Sequence, residues 1–322
     1  MKAKNTFNAL FKKDAPKNML KVILLLTILF QVMLLSAGCT VFRGNADPGA
    51  VSSAKIPVLM YHHLVPVATS ALDLENGAVI SAEQFAEQMT YLSENGYTTW
   101  FLSELFLYLE SGEPLPEKTV VITFDDGYES NYLYAYPVLK QYNFKASISL
   151  ILSKMEKVEA ALAKSGVQDP ANGISGISVV EAKEMMNSGL VEFHSHTYDM
   201  HHTVSANAAG KIGYPSVDRM YLAAEGRAET EQEYGARIGN DLLTAARLLK
   251  NYLDIDSTAL IYPYGRYNDQ LIEAAKTVGV YGAATVKAGL VDKNSEVFAL
   301  PRVTVGPKDN LASFVRKLAE GK

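Results

Sequence analysis

The stretch "TVVITFDDGY", residues 119–128, combines a run of apolar and β-branched residues with a polar end. Such a run is typical of a strand that is buried within a parallel sheet. Asp125 and Asp126 follow it directly, and Gly127 suits the turn that must come next. Alone, an Asp pair before a glycine is also typical of an ordinary loop start. The stretch therefore predicts a buried strand with two carboxylates at its carboxyl end.

Seven other segments share this composition and alternate with segments of helical periodicity. These strand candidates are residues 56–62, 97–101, 145–151, 190–195, 258–263, 281–286 and 299–305. Helices are predicted to begin after the capping residues Ser81 and Ser178, and further helices over 229–253, 268–279 and 310–320. The stretches 152–177 and 203–228 fit neither pattern and are expected to be long loops. Alternating strands and helices predict parallel pairing, and about seven or eight such units in one domain favour a barrel of the α/β class.

The N-terminal 38 residues are predicted to be a signal peptide. Six lysines precede "VILLLTILFQVMLL", an apolar run of 14 residues, which is shorter than the roughly 20 residues of a membrane-spanning helix. Small residues follow and lead to Cys39, the only cysteine, in a pattern that resembles the lipobox of bacterial lipoproteins, with Ser36 at a position that is usually apolar. We expect lipidation at Cys39, a lipid-anchored tether over 39–55 and one domain over 56–322. An uncleaved signal anchor or ordinary signal cleavage are the alternatives, and all three imply export.

The charge of the exported part excludes some partners. Six of the 30 basic residues and one of the 35 acidic residues lie before Cys39, which leaves 24 basic and 34 acidic residues beyond it. An excess of acidic residues argues against nucleic acid as a partner. With a single cysteine the chain can form no internal disulfide, so its core must stabilise it.

The histidines are concentrated at predicted strand ends. Four of the six lie in "VEFHSHTYDMHH", residues 191–202, and the other two are His62 and His63. A further polar cluster, "LIYPYGRYND", occupies 260–269. Because a parallel barrel gathers its strand ends in one mouth, we expect these groups to meet. Two imidazoles and a carboxylate form a zinc site that leaves room for water and substrate, and the absence of an "HExxH" sequence argues against a zincin protease.

The segments "TFDDGY", "SHTYDMH" and "YPYG", in this order, resemble the motifs of the polysaccharide deacetylases, carbohydrate esterase family 4, also called the NodB homology domain. The resemblance covers roughly residues 56–305. With the early "YHH", the chain is most similar to the branch that deacetylates poly-β-1,6-N-acetylglucosamine. The resemblance implies a single deformed (β/α) barrel of about seven strands, with its active site at the strand carboxyl ends. It also implies one divalent metal, expected to be Zn²⁺, with Ni²⁺, Co²⁺ or Mn²⁺ as alternatives.

The resemblance also implies roles for particular residues. Asp125 matches the catalytic base, and Asp126, His196 and His201 match the metal ligands. The two histidines are five residues apart, as in the poly-N-acetylglucosamine branch. The wider family mostly has a spacing of four, and Met200 stands at that position here.

In two places the sequence departs from the wider family. An Arg that often orients the base is replaced by Ile261, and Arg302 is the expected substitute. No histidine follows residue 202 to serve as the general acid, and His62 matches the alternative acid of the poly-N-acetylglucosamine branch. The backbone N–H of Tyr264 is expected to bind the oxyanion. His194 is either a rival ligand or a support for the ligands.

The predicted function is a metal-dependent N-deacetylase that releases acetate from N-acetylglucosamine units of an extracellular polysaccharide, most similar to enzymes acting on poly-β-1,6-N-acetylglucosamine. A peptidoglycan N-acetylglucosamine deacetylase and a lipid-anchored sugar-binding protein with an inactive site are the alternatives. The expected location is the outer side of the cell membrane. Five tyrosines near the strand ends are candidates to stack on sugar rings: Tyr61, Tyr128, Tyr198, Tyr262 and Tyr264.

Overall fold

A computed structural model describes residues 54–67, 77–112, 115–166 and 175–322. The predicted signal peptide, Cys39 and nearly all of the predicted tether lie outside the described residues. Within the described ranges, no helix has both the length and the apolar character that a membrane span requires.

The described chain alternates strands and helices, as the sequence predicts. The strands are β1 (Val58–Tyr61), β2 (His63–Val65), β3 (Val79–Ser81), β4 (Thr98–Trp100), β5 (Thr119–Phe124), β6 (Ala146–Leu150), β7 (Val191–Ser195), β8 (Val204–Ser205), β9 (Ile212–Gly213), β10 (Tyr221–Leu222), β11 (Arg227–Ala228), β12 (Ala259–Ile261), β13 (Gly282–Ala288) and β14 (Leu300–Thr304). The α-helices are α1 (Ala82–Glu94), α2 (Leu102–Ser111), α3 (Tyr136–Tyr142), α4 (Leu152–Ser165), α5 (Val179–Asn187), α6 (Glu231–Leu253), α7 (Asp269–Thr277) and α8 (Leu311–Glu320).

Seven parallel strands close into a barrel. Their order is β1-β14-β13-β12-β7-β6-β5, and β1 also pairs with β5, which completes the ring. Leu59 of β1 shows the closure directly, because it is in register with Ile122 on one side and with Val303 on the other. An eighth parallel strand, β4, lies outside the ring against β5. The predicted (β/α) barrel of about seven strands is confirmed.

The strands separate an inner from an outer core. Val120 and Ile122 of β5 pack outward under the helices, whereas Val121 packs inward with Val58 and Ala259. This alternation follows from the two-residue period of a strand. Helix α2 contributes three apolar side chains to the inner core, among them Phe106, which lies against the first residue of β13. Apolar contacts of α2 therefore cover much of the amino-terminal end of the barrel, and the opposite end holds the polar clusters that the sequence analysis identified.

The caps read from the sequence are present. The Ser81 hydroxyl accepts a hydrogen bond from the backbone of Gln84, and Ser178 and Glu181 cap each other's backbone at the start of α5. The Gln84 side chain does not close a reciprocal box, because it donates instead to the carbonyls of Gly306 and Asp309.

The predicted loop over 152–177 is wrong in its first half. Residues Leu152–Ser165 form α4, which the sequence conceals because its N-cap residue, Ile151, makes no capping hydrogen bond through its side chain. Its buried residues, Leu152, Ser153 and Met155, also lie only in the first turn, so the helical periodicity is weak. The stretch 203–228 contains two short antiparallel ribbons, β8–β9 and β10–β11.

Candidate active site

The carboxyl ends of the barrel strands, called the mouth below, carry the polar clusters of the sequence. Strand β5 leads into Asp125, whose backbone N–H donates to the carbonyl of Tyr61. Gly127 then turns the chain with a φ of +60°, and a β-carbon there would lie 2.5 Å from a methyl group of Leu150. Only glycine suits both the left-handed backbone and the close approach of the next strand.

Three residues at the mouth have left-handed backbone conformations although they are not glycines. They are Asp126 (φ 72°), Thr197 (φ 69°) and Tyr264 (φ 56°). Each belongs to one of the three motifs read from the sequence. For a β-branched residue such as Thr197 this conformation is costly, and strain of this kind concentrates at sites where the surrounding structure holds a functional geometry.

Asp126, His196 and His201 come together at the mouth. The Nε2 atoms of His196 and His201 lie 3.3 and 3.4 Å from the same carboxylate oxygen, Oδ1 of Asp126. The ligand atoms of all three side chains lie within 4.8 Å of one another. Met200, at the position that the wider family uses for its second histidine, is instead buried in the outer core.

These three side chains fit a divalent metal. Oδ1 of Asp126 is buried and has no hydrogen-bond partner. Nδ1 of His196 lies 2.7 Å from the carbonyl oxygen of Ile261, which can only accept, so Nδ1 carries a proton and the Nε2 of a neutral ring faces Asp126 with a lone pair. Two acceptors that face each other attract a cation into the space between them. Asp plus two His is a donor set that zinc favours.

The charge states agree with this interpretation. Burial alone would raise the pKa of Asp126, but the imidazoles of His196 and His201 hold it well below its usual range, so the carboxylate is ionised. Burial lowers the pKa of the His201 imidazole, which keeps that ring neutral. Burial lowers the pKa of the His196 imidazole, but the hydrogen bond and charge of Asp126 and the charge of Asp125 outweigh burial and raise it, so the position between Nε2 and Asp126 attracts a cation, either a proton or a metal ion.

Asp125 lies beside the three ligands in a separate ion pair. The fully buried guanidinium of Arg302 donates two hydrogen bonds to its carboxylate, at 2.7 and 2.8 Å. Arg302 is itself oriented by the backbone carbonyl of Thr285 and by the hydroxyl of Thr123. Burial raises the pKa of Asp125, but the charge and hydrogen bonds of Arg302 lower it to about 2. Arg302 therefore contacts the carboxylate that it is expected to orient, and its role as the substitute for an Arg at Ile261 stays a prediction.

His62 completes this group. Its Nε2 lies 3.8 Å from Oδ2 of Asp125, and its Nδ1 is buried without a hydrogen-bond partner. The side-chain amide of Asn131 donates to the carbonyl of His62 at 2.7 Å and so fixes the backbone that carries the ring. Burial lowers the pKa of His62, against the attraction of Asp125. An imidazole with a lowered pKa is a readier proton donor once it is protonated.

Tyr264 stacks its ring on His201, with 4.5 Å between the ring centres and 27° between the planes. The expected role of its backbone N–H toward an oxyanion stays a prediction. Of the other tyrosines proposed to stack on sugar, Tyr61 and Tyr262 are fully buried, so the expectation is wrong for these two. The hydroxyl of Tyr61 is bound to Gln88 inside the protein.

His194 does not join the three ligands. It lies two residues before His196 on β7 and therefore on the same face, but about 7 Å deeper in the barrel. Its Nε2 lies 2.6 Å from Glu192, a carboxylate that also accepts hydrogen bonds from the hydroxyls of Ser103 and Ser147. The geometry assigns His194 to this deeper polar cluster rather than to the ligands.

Several residues of the mouth were given no role in the sequence analysis. Lys154 and Arg266 contact the rings of Tyr128 and Tyr214, respectively. Lys154 and Tyr214 belong to the stretches predicted to be loops, and no sequence signal identified them. Asn131 follows "TFDDGY" closely, and its position three residues beyond the motif is the only hint that the sequence offered.

Comparison with known proteins places the chain in context. A family model described as polysaccharide deacetylase matches residues 112–283, which is more than half of the chain. The poly-β-1,6-N-acetyl-D-glucosamine N-deacetylase of Escherichia coli O157:H7 is 28% identical over 299 residues, which make up 91% of this chain but 44% of that protein. The enzyme of the same name from Staphylococcus aureus strain MRSA252 is 27% identical over 237 residues, which make up 74% of this chain and 71% of that protein.

A solved structure shows the same fold. The structure of a de-N-acetylase from Aggregatibacter actinomycetemcomitans matches with a TM-score of 0.71 at 27% identity, and the match covers 82% of this chain and 99% of that one. These comparisons confirm the motif resemblance found in the sequence. The chain spans less than half the length of its E. coli relative.

Proposed function

This chain belongs to the polysaccharide deacetylase family, and we propose that it removes N-acetyl groups from poly-β-1,6-N-acetylglucosamine in a metal-dependent hydrolysis. The observation that carries the proposal is the mouth itself, where one ionised carboxylate, one three-residue ligand set and one histidine lie within reach of a single acetyl group. The names of the E. coli and S. aureus relatives support the choice of polymer.

Asp126, His196 and His201 would hold the metal. When bound, a divalent metal supplies a Lewis acid that polarises the acetyl carbonyl and acidifies water. Asp125 accepts the proton of the attacking water, because its carboxylate is ionised and Arg302 holds both of its oxygens in place. The neighbouring carboxylates therefore divide the work, one as ligand and one as base.

His62 acts at the other end of the reaction. An amine anion is a poor leaving group, so the sugar nitrogen must gain a proton as the C–N bond breaks. His62 lies on the Asp125 side of the mouth, with its backbone held by Asn131. The backbone N–H of Tyr264 donates to the oxyanion of the tetrahedral intermediate. The products are acetate and a glucosamine unit whose amine is cationic near neutral pH.

We infer in addition that the protein is exported and anchored by a lipid on Cys39, facing outward, where a polysaccharide of this kind would be found. The sequence around Cys39 supports this, together with the signal-like residues before it. In cells supplied with a labelled fatty acid, the wild type should carry the label and Cys39→Ala should not. A wild type without label would overturn the lipid anchor and favour an uncleaved signal anchor or ordinary cleavage.

Acetate release from acetylated poly-β-1,6-glucosamine tests the proposed activity. The purified protein is assayed after metal removal and after addition of Zn²⁺, beside Asp125→Asn and with peptidoglycan as a second substrate. Zinc-dependent release from the first polymer that is lost in Asp125→Asn is the expected result. Release from peptidoglycan alone would move the function to wall modification. Tight zinc binding with no release from either would favour a sugar-binding protein built on this barrel.

A further inference from the structure

Two cations at the mouth contact aromatic rings instead of carboxylates. Nζ of Lys154 lies 3.7 Å from the ring centre of Tyr128, and the guanidinium carbon of Arg266 lies 4.2 Å from the ring centre of Tyr214. Among the residues that the structure describes, neither cation has a carboxylate oxygen within ion-pair distance. By contrast, Arg302, Arg237 and Lys145 all pair with a carboxylate.

The two cations flank the three ligands through short chains of contacts. Tyr128 lies two residues beyond Asp126, whose carboxylate raises the pKa of the Tyr128 hydroxyl in addition to the effect of burial. Burial lowers the pKa of Lys154, in the first turn of α4, to about 8, and the charge of the nearby Asp126 carboxylate acts in the opposite direction, so the ammonium group is still mostly charged at neutral pH. On the other side, Tyr214 contacts Tyr264, with 4.9 Å between ring centres, and Tyr264 stacks on His201.

The two cations at the mouth contrast with the chain as a whole, which has more acidic than basic residues. Lys154 is largely desolvated and its ammonium group lies over the ring of Tyr128, whereas Arg266 is exposed, with its guanidinium carbon over the ring of Tyr214. Aromatic rings offer flat apolar surfaces for sugar rings. The cations stand beside these surfaces, where the units next to the reacting one would pass.

We propose that Lys154 and Arg266 select against glucosamine units that have already lost their acetyl group, so that the enzyme acts on acetylated stretches and spaces its products apart. This rests on the proposed function. The acetamide of the substrate is neutral, whereas the freed amine is cationic, and like charges at the mouth repel each other. At a separation of several ångströms near a protein surface, one cation should disfavour a neighbouring amine about three- to tenfold.

Defined β-1,6-linked pentamers test the selection. The first pentamer carries five N-acetylglucosamine units, the second has glucosamine next to the central unit, and the third has glucose at that place. The glucose pentamer, like the glucosamine pentamer, lacks the acetyl group at this place, but it carries no positive charge there. For the wild-type protein, we expect kcat/KM at the central unit to be about three- to tenfold lower for the amine pentamer than for the glucose pentamer, with less difference at high salt.

The variants Lys154→Met and Arg266→Gln should each reduce the ratio of kcat/KM for the glucose pentamer to kcat/KM for the amine pentamer. The double variant should bring this ratio close to one. Because the ratio compares two substrates on one protein sample, partial unfolding of a variant does not change it. Lys154→Arg keeps the charge and should keep the ratio, and Lys157→Met, on an exposed lysine of the same helix, serves as the control.

Three results would overturn the proposal. The ratio of kcat/KM for the glucose pentamer to that for the amine pentamer could be unchanged in the double variant, or this ratio could already be one in the wild type. A succinylated pentamer could also be preferred by the wild type and not by the variants, which would mean that the cations bind an anionic polymer instead. If the fully acetylated pentamer releases no acetate at all, the proposed function itself fails, and this outcome is distinct from the other three.

Discussion

The charge state of Asp125, the proposed base, is set by one neighbour. Burial alone would raise the pKa of the Asp125 carboxyl, but Arg302 lowers it to about 2. The carboxylate is thus ionised over the whole physiological range, at the expense of intrinsic basicity. The two parallel hydrogen bonds from the guanidinium also fix its orientation, which a point charge could not do.

Arg302→Gln should therefore lower kcat/KM near neutral pH by about 100-fold, within the range expected for a misplaced general base. The pKa of Asp125 should rise in the variant, so its activity should increase with pH over a range where the wild type is flat. Comparison of the two pH–rate profiles measures this. Arg302→Lys should be intermediate, and Arg316→Gln, on an exposed arginine, should be neutral. A wild-type profile in Arg302→Gln would contradict the argument.

His62 is predicted to act only on the leaving group. His62→Asn should lower kcat on the N-acetylated polymer by roughly 10²- to 10⁴-fold. Hydrolysis of p-nitrophenyl acetate should be affected far less, because its leaving group departs as a stable anion without a proton. Parallel assays of the two substrates separate a lost acid from a damaged site. The exposed His202, changed to Asn, is the control, and an equal loss on both substrates would speak against the acid role.

At the scale of elements, two helices hold the loop between the two candidate histidine ligands. Asp241, on α6, accepts hydrogen bonds from the backbone N–H groups of Tyr198 and Asp199. At the start of α4, the N–H groups of Leu152 and Ser153 donate to the carbonyls of Thr197 and Tyr198. The free energy of these hydrogen bonds offsets the strain in the backbone of Thr197, and the contacts keep His201 facing His196.

Asp241 should make stability depend on pH. Burial raises its pKa from 3.8 to about 6 in spite of the two hydrogen bonds. Because the folded state binds the proton more tightly than the unfolded state, the stabilisation is complete below pH 4 and is lost as the pH rises through 6. The difference between these two pKa values corresponds to about 3 kcal/mol of free energy of unfolding.

Urea unfolding of the wild type and Asp241→Asn at several pH values between 4 and 7 tests this. The difference in free energy of unfolding, wild type minus variant, should fall by about 2.4 kcal/mol from pH 4 to pH 7. Asp256→Asn, at an exposed position, should show no such trend. A difference that stays constant with pH would show that Asp241 is ionised throughout.

At the scale of the whole molecule, the candidate metal site joins separate parts of the barrel. Asp126 follows β5, whereas His196 and His201 follow β7, and β6 lies between these two strands. A metal bound to all three side chains would therefore tie together strand ends that are not neighbours. Binding to the folded state alone stabilises the fold by mass action.

Zinc at about 100 times its Kd should raise the Tm of the metal-stripped protein by roughly 5–10 °C. Thermal unfolding with a chelator, and then with added Zn²⁺, measures the change. Asp126→Asn should abolish most of the rise, whereas Asp125→Asn should retain it, because Asp125 pairs with Arg302 and is not among the ligands. Equal loss in both variants would mean that the ligand set is wrong.

The sequence by itself determined the local features of this protein. The eight strands of the main sheet, the caps at Ser81 and Ser178, and the carboxylates and histidines at strand ends all follow from short-range patterns of residue type. The two-residue period of a strand and the side chain of a cap act within a few residues, so a sequence displays them directly. The barrel also followed, since strands alternating with helices leave few other arrangements.

Only the tertiary structure decided which side chains meet. Arg302 and Asp125 are 177 residues apart in the chain and form an ion pair because β1 pairs with both β14 and β5. The same closure leaves His194 in a deeper polar cluster and sets Lys154 and Arg266 beside the ligands. Such contacts depend on closure of the ring and on the depth of each residue along its strand. Patterns of residue type along the chain do not record those distances, and for this reason the sequence named the ligands but not their surroundings.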